Sequence, residues 1–176
     1  LRRHTQGRPV RLLDVGSGGG LPGVVIAIGC PEIAVTCVDA VAKKAAFIQQ
    51  AAGALNLPNL RGVHARVERL DERFDLVTSR AFATLADFSA WSVDALAEGG
   101  VLIYETFAAG NETVGRPARA DFLLRPGELL QLCGGPDWRV VAYEDGFLSA
   151  PERFVQRIAA VRLGDQAQAG AVRYPL

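Results

Sequence analysis

The chain has 176 residues, 49% of them hydrophobic and 22% charged, with 19 basic side chains against 19 acidic ones. That length and balance suit one globular domain with a sizeable buried core. A net charge of zero argues against a protein whose main task is coating nucleic acid, while leaving room for a local basic face.

Read for periodicity, apolar runs of strand type recur at 10–15 (VRLLDV), 34–38 (AVTCV), 60–64 (LRGVH), 74–78 (FDLVT) and 101–107 (VLIYETF). Helical patterns lie between them. Residues 41–56 place Ala45, Ile48, Ala52 and Leu55 at three-to-four spacing, and residues 84–97 do the same with Leu85, Phe88, Trp91, Val93 and Leu96. Such alternation predicts a parallel sheet covered on both faces through right-handed crossovers. After a turn-rich stretch at 108–121, Pro126 and Gly127 open a short helix ending near Cys133. Two further strands are expected at 138–144 and 154–163, joined by a loop containing Gly146 and Pro151. That join is too short for a crossover, so the pair should form an antiparallel hairpin. The expected fold is α/β and Rossmann-like: a mostly parallel seven-stranded sheet ending in a hairpin, the pattern of a class I methyltransferase core. One domain should span 1–176, with 1–9 as an N-terminal extension and 164–176 as a tail.

Cys30, Cys37 and Cys133 are scattered among apolar residues without a CxxC pair, and His4 and His64 lack ligand-like spacing. We therefore expect reduced thiols and no metal. No run reaches the roughly 18 apolar residues of a membrane span, and no signal peptide is visible. A cytoplasmic location is expected. Methionine is missing throughout, even at position 1, which suggests a processed, trimmed or engineered chain.

The first strand leads into LLDVGSGGGLPG (12–23), with five glycines in twelve positions. Gly18 and Gly23 have the spacing of a phosphate loop, but Val24 stands where the lysine belongs, so nothing neutralises a triphosphate. The dinucleotide fingerprint fails as well, because Leu21 occupies the third glycine position. What remains is Gly16, Gly18 and Gly20, which let the backbone turn tightly and approach a ligand, with Pro22 suited to the first turn of the next helix. The second strand ends at Asp39, 23 residues beyond Gly16. A carboxylate there accepts hydrogen bonds from ribose hydroxyls in nucleotide-binding folds. S-adenosylmethionine offers a ribose and an aminocarboxypropyl arm but no phosphate. The turn can hold the arm, with Asp14 reaching the amine through water.

DVGSGGGLPG, VTCVDAVAKKAAFIQQ, HARVERL and FDLVTSRAFATL together resemble the rRNA small subunit methyltransferase G (glucose-inhibited division protein B) family, over about residues 10 to 107. That resemblance implies methyl transfer from S-adenosylmethionine to N7 of a guanosine in 16S rRNA, with that RNA or the 30S subunit as partner. It places Gly16 and Leu21 in the cofactor loop and matches Val67 and Glu68 to an adenine-side pair, though the family usually has alanine at the position of Val67. Arg80, in TSRA, matches a cofactor-contacting arginine. Two departures stand out. The helical N-terminal portion usual in the family is absent, and so is its glycine-lysine-rich stretch after the fifth strand. The stretch from YETFAAGNETVGRP onward instead resembles small methyltransferases related to tellurite-resistance proteins, as in a hybrid of two types.

The residues after the fourth predicted strand lack both an Asn/Asp-Pro-Pro-aromatic motif and a cysteine nucleophile. Guanine N7 carries a free lone pair and no proton, so it needs neither. No catalytic residue is assigned. For RNA, Arg2, Arg3, Arg8 and Arg11 form one basic group and Arg116, Arg119 and Arg125 another. Phe82, Phe107 and Tyr104 are candidates for stacking on a base, with mid-strand Tyr104 better suited to the core. Two other readings stay open: a methyltransferase of a small molecule, and a cofactor-binding chimera or fragment without turnover.

Overall fold

The computed structural model describes residues 9–80 and 94–164, and only the backbone of Arg80. Seven strands form one sheet in the order β3-β2-β1-β4-β5-β7-β6. They are β1 (Val10–Val15), β2 (Ile33–Asp39), β3 (Leu60–His64), β4 (Phe74–Arg80), β5 (Leu96–Phe107), β6 (Trp138–Ser149) and β7 (Glu152–Arg162). The first five are parallel; β7 runs against β5, and β6 against β7. This is the expected architecture, hairpin included.

Both faces of the parallel part are apolar because both are covered, as parallel sheets require. Along β1, Leu12 and Leu13 point to opposite sides and are both fully buried. Leu12 joins Ala27, Val35, Cys37, Ile48, Leu60 and Leu76 beneath the helices α1 (Gly23–Gly29) and α2 (Ala42–Ala54). Leu13 joins Val38, Val77, Leu102, Tyr104, Ile158 and Ala160 on the other face, together with Leu129 of the short helix α3 (Glu128–Leu132). Each fully buried leucine contributes about 1.5–3 kcal/mol. Tyr104 is 2% exposed and is a core residue, as its mid-strand position suggests.

Three of the differences from the sequence reading have a plain physical reason. Leu96 and Ala97, assigned to the end of a helix, begin β5; Phe74 pairs with Leu96 before the register shifts. Backbone pairing with β4 outweighs the helical spacing of these apolar side chains. Gly146, assigned to the hairpin loop, pairs with Val155 inside a longer β6, so the turn shrinks to residues 150–151. Pro22 precedes α1 as its N-cap and does not stand in its first turn. Asp94 and Ala95 are helical, as expected; residues 84–93 of that helix, and the extension and tail apart from Pro9 and Gly164, lie outside the described residues.

The hairpin and α3 are joined by one fully buried side chain. Gln156 Oε1 accepts from the Leu129 N–H (3.1 Å), and its Nε2 donates to the Arg125 carbonyl (2.7 Å). Gln156→Leu would strand a buried donor and acceptor at once. It should lower stability by about 1–3 kcal/mol, read as a lower urea midpoint at unchanged m-value.

Candidate functional site

The strand order reverses between β1 and β4: from β1 the chain winds outward through β2 and β3, then returns to β4 on the other side. In open α/β sheets, ligands bind outside the carboxyl ends of the strands at such a switch point. The glycine turn 16–22 sits there. At the same place the buried Ser79 hydroxyl donates to the Val15 carbonyl (3.0 Å), closing the ends of β4 and β1 against each other.

Gly16 and Ser17 start the turn by donating their N–H groups to the Val38 carbonyl, at 2.9 and 3.3 Å. Gly18 has φ +53° and Gly20 φ +89°, left-handed values that favour glycine. At Gly20 space is also short: a Cβ would lie 2.4 Å from Val24 Cγ2 and 2.9 Å from Ile48 Cδ1. The two aspartates then fix the turn. Asp39, 6% exposed, accepts from Gly18 N–H at Oδ2 (3.1 Å) and from Val41 N–H at Oδ1 (2.8 Å). Lys44 Nζ stands 3.6 Å from the same Oδ2. Asp14, 1% exposed, accepts at Oδ2 from the N–H of Gly23, the first residue of α1 (2.9 Å). Gly23 has to be that small, because a Cβ there would meet Cys37 Sγ at 2.4 Å and Asp14 Oδ2 at 2.7 Å.

The structure thus brings Asp14, Gly16, Gly18, Gly20, Leu21 and Asp39 together at the ends of β1 and β2. Leu21 is half-exposed at the tip of the turn. Val67 and Glu68 follow β3 in a 3-10 turn, beside the same edge: Ala65 N–H donates to the Asp39 carbonyl (3.3 Å). The Val67 side chain is buried in the core, while Glu68 lies on the surface, 3.7 Å from Arg66. Arg80 ends β4 at the switch point; its side chain, like Phe82, lies outside the described residues. The structural role of Asp14 toward α1 was not legible in the sequence, because it depends on Gly23 lying beside it in the fold.

The basic groups separate. Arg2, Arg3 and Arg8 lie outside the described residues. Arg11 is at the amino end of β1, away from the glycine turn, where it pairs with Glu72 and lies 5.1 Å over the Phe74 ring. Arg61 holds Glu72 from the other side at 2.6 Å, and its hydrogen bond is the main cause of a carboxyl pKa below the ordinary range. A recess of about 210 Å³ bounded by these residues, Thr36 and Asn59 therefore opens on the edge opposite the turn. Arg116, Arg119 and Arg125 are exposed on the segment that leaves β5 at the carboxyl edge and returns through an Ala108–Leu124 bridge. Arg119 there pairs with Asp121 (2.7 Å) and covers Phe122, and Arg125 lies 3.7 Å from Glu128. Phe107 is half-buried at the end of β5.

A family model described as GidB, rRNA small subunit methyltransferase G, matches residues 2–123. The chain belongs to the rRNA small subunit methyltransferase G family. The match to this family runs past Phe107 to residue 123, into the stretch that the sequence reading sets apart from it. Curated relatives named ribosomal RNA small subunit methyltransferase G agree. One from Polaromonas naphthalenivorans (strain CJ2) is 74% identical over 91 residues, covering 52% of this chain and 41% of the relative. One from Acidovorax sp. (strain JS42) is 67% identical over 109 residues, covering 57% of this chain and 48% of the relative. The chain thus spans less than half the length of these methyltransferase G relatives. In fold it is similar to a SAM-dependent methyltransferase from Methanosarcina mazei, with TM-score 0.71 and 16% identity over 89% of this chain and 93% of that one. It is also similar to the W203A mutant of a 16S rRNA (adenine(1408)-N(1))-methyltransferase from Catenulisporales acidiphilia, with TM-score 0.69 and 19% identity over 93% and 91%. These likenesses give the class I SAM-dependent methyltransferase fold.

Two thiols are held protonated. Burial, and then the neighbouring Asp14 carboxylate, push Cys37 up to about 12; burial alone pushes Cys133 up to about 11. The folded state therefore keeps these protons where unfolded thiols lose theirs, so stability falls as pH rises from about 9 toward 12. Since the thiolate is the nucleophile, iodoacetamide at pH 8 should label the half-buried Cys30 in the native protein and leave Cys37 and Cys133 intact. In urea, all three should be labelled, as counted by intact mass.

Proposed function

We propose that this chain binds S-adenosylmethionine at the carboxyl ends of β1, β2 and β3 and methylates N7 of a guanine in small-subunit ribosomal RNA. The observation that carries the reading is the buried Asp39 carboxylate, joined to the glycine turn through Gly18 in a chain that the methyltransferase G family model covers from residue 2 to 123. Each Asp39 oxygen accepts one backbone N–H, and a carboxylate offers about four acceptor sites, so capacity remains for ribose hydroxyls. The side-chain-free backbone of Gly16 and Gly18 leaves room for the aminocarboxypropyl arm, and Gly20 lets the turn close onto Val24 and Ile48. Buried Val67 would border the adenine, and Glu68 and Arg80 belong to the same rim. These residues fit the group.

When bound, S-adenosylmethionine supplies a methyl group made electrophilic by its sulfonium. The chain's own work is to hold and orient. Asp14 fixes the start of α1, Asp39 fixes the turn and its distance from β2, and Ser79 fixes β4 against β1. Placing two reactants in line lowers the barrier by removing the entropy of their encounter. Guanine N7 presents a lone pair and no proton, so no general base is required, and the lack of a base motif after β4 agrees with that acceptor.

Asp39→Ala should weaken S-adenosylmethionine binding by about 1–3 kcal/mol in isothermal titration calorimetry, the scale of a lost buried hydrogen-bond partner. Unchanged affinity would remove the role given to Asp39. With tritiated cofactor, label should enter 16S rRNA in small subunits from cells lacking the modification and be absent from subunits already carrying it. Cofactor binding without such label would sink the RNA reading.

A further inference from the structure

Helix α1, with the sequence GVVIAIG, has no polar side chain, yet Val25 and Ile28 are each 56% exposed. A helix that is apolar all round belongs in an interior. Its neighbour α2 adds Phe47 and its C-cap Leu55, 52% and 53% exposed. These side chains form one surface. Both helices cross the same face of the sheet from the carboxyl ends of the strands to the amino ends, so they lie parallel, side by side. A Cβ at Gly20 would touch Val24 and Ile48 together, so the flank of α1 that carries Val24 faces α2. Ile28, one turn further on, is on that flank. On α2, Gln49 accepts from the Gly62 N–H of the edge strand β3 (3.3 Å), which turns the opposite flank, with Ala51 and Leu55, toward α1. Phe47 and Ala54 stand beside Ala51 at helical spacing, both exposed.

Four large side chains, each about half exposed, offer on the order of 500 Å² of apolar surface together with the two alanines. Two such faces pressed together remove roughly 1,000 Å² from water, the size at which specific interfaces begin. The charges nearby favour a second copy of the chain. The groove between the helices holds no charged side chain, so doubling it on itself brings no like charges together. Lys43 is exposed in the first turn of α2 and has no ion pair among the described residues. A cation there is opposed by the dipole of its own helix. A two-fold axis lying across the helices, in the plane of the face, sets α2 antiparallel to α2 of the second copy. Each Lys43 then comes to the carboxyl end of the facing helix, where the dipole attracts it.

We propose that this chain forms a two-fold homodimer through the outer face of α1 and α2, with Val25, Ile28, Phe47 and Leu55 at the contact. The face includes none of the residues read as holding the cofactor, so the proposal stands or falls separately from the proposed activity. Sedimentation equilibrium of the 176-residue chain over a concentration series tests it. Wild type should pass from monomer to dimer mass and stop there, and its thermal midpoint should rise with concentration. Phe47→Gln should raise the dissociation constant at least about tenfold, as loss of an aromatic anchor does. The double variant Ile28→Gln, Phe47→Gln should be monomeric throughout, with a thermal midpoint that no longer depends on concentration and equals that of dilute wild type. Lys43→Glu should weaken the dimer several-fold at low salt and lose that effect at high salt.

Wild type that stays monomeric at every concentration overturns the proposal and leaves the face to a partner of another kind. A dimer with the same dissociation constant in Phe47→Gln and in the double variant overturns it too, because the contact is then elsewhere. A wild-type mass that climbs past the dimer does the same. Should the double variant fail to fold, Lys43→Glu decides: a dissociation constant unchanged at low salt rules out the antiparallel pairing of α2.

Discussion

Two N–H groups of the turn after β1 point into carboxylates that water hardly reaches, Gly23 into Asp14 and Gly18 into Asp39. A turn made of glycines has no side chains with which to hold itself, and glycine loses more freedom on folding than any other residue. Hydrogen bonds to an ionised group contribute about 1.5–3 kcal/mol, roughly twice a neutral pair, and here they offset that loss. The anchors sit on adjacent strands near their carboxyl ends, where Asp14 is in register with Cys37 and Asp39 lies two residues further on. The turn is consequently stretched across the gap between the strands. Its open backbone, the helix that follows and the rim of β3 all take their places from those two bonds. Burying the carboxylates has its own cost, part of which shows in Cys37, whose thiol sits 3.9 Å from Asp14 and keeps its proton.

Much of this was readable in the residue order. A strand buried on both faces has to be apolar nearly throughout, so VRLLDV and FDLVT announce themselves, and the alternation with helices fixes the winding. Asp39 was found because a carboxylate that ends the second strand has few other reasons to be there. The failures are of two physical kinds. Leu96 and Gly146 look like helix and loop by local preference, yet pairing with β4 and β7 draws them into strands, and one sequence contains no record of its long-range partners. The work of Asp14 depends on what lies beside it in space. Asp14 stood out by spacing and was assigned to ligand alone, although the contact seen is with Gly23 in α1.

The charge pattern makes the same point. Arginines far apart in the sequence meet at one edge of the sheet, and a cluster close together in the sequence goes to the other. Arg11 and Arg61 meet over Glu72 at the amino edge, where they brace β1 and β3, while Arg116, Arg119 and Arg125 are carried to the carboxyl edge by the segment after β5. A balanced total of 19 and 19 therefore says little about either edge taken separately.

The reversed direction of β7 has a consequence for how such a protein can change over generations. The turn that is read as a cofactor cradle is built from the first half of the chain, and the hairpin that faces it is built from the last third. The start of β7 projects past the ends of β1 and β4, because Val15 and Ser79 are level with Ile158, six residues into that strand. A substitution or exchange in the hairpin can change the surface beyond that rim while leaving the Asp14 and Asp39 anchors untouched. One sheet thus carries two parts free to change separately, an anchored turn and a hairpin that no anchor of the turn depends on.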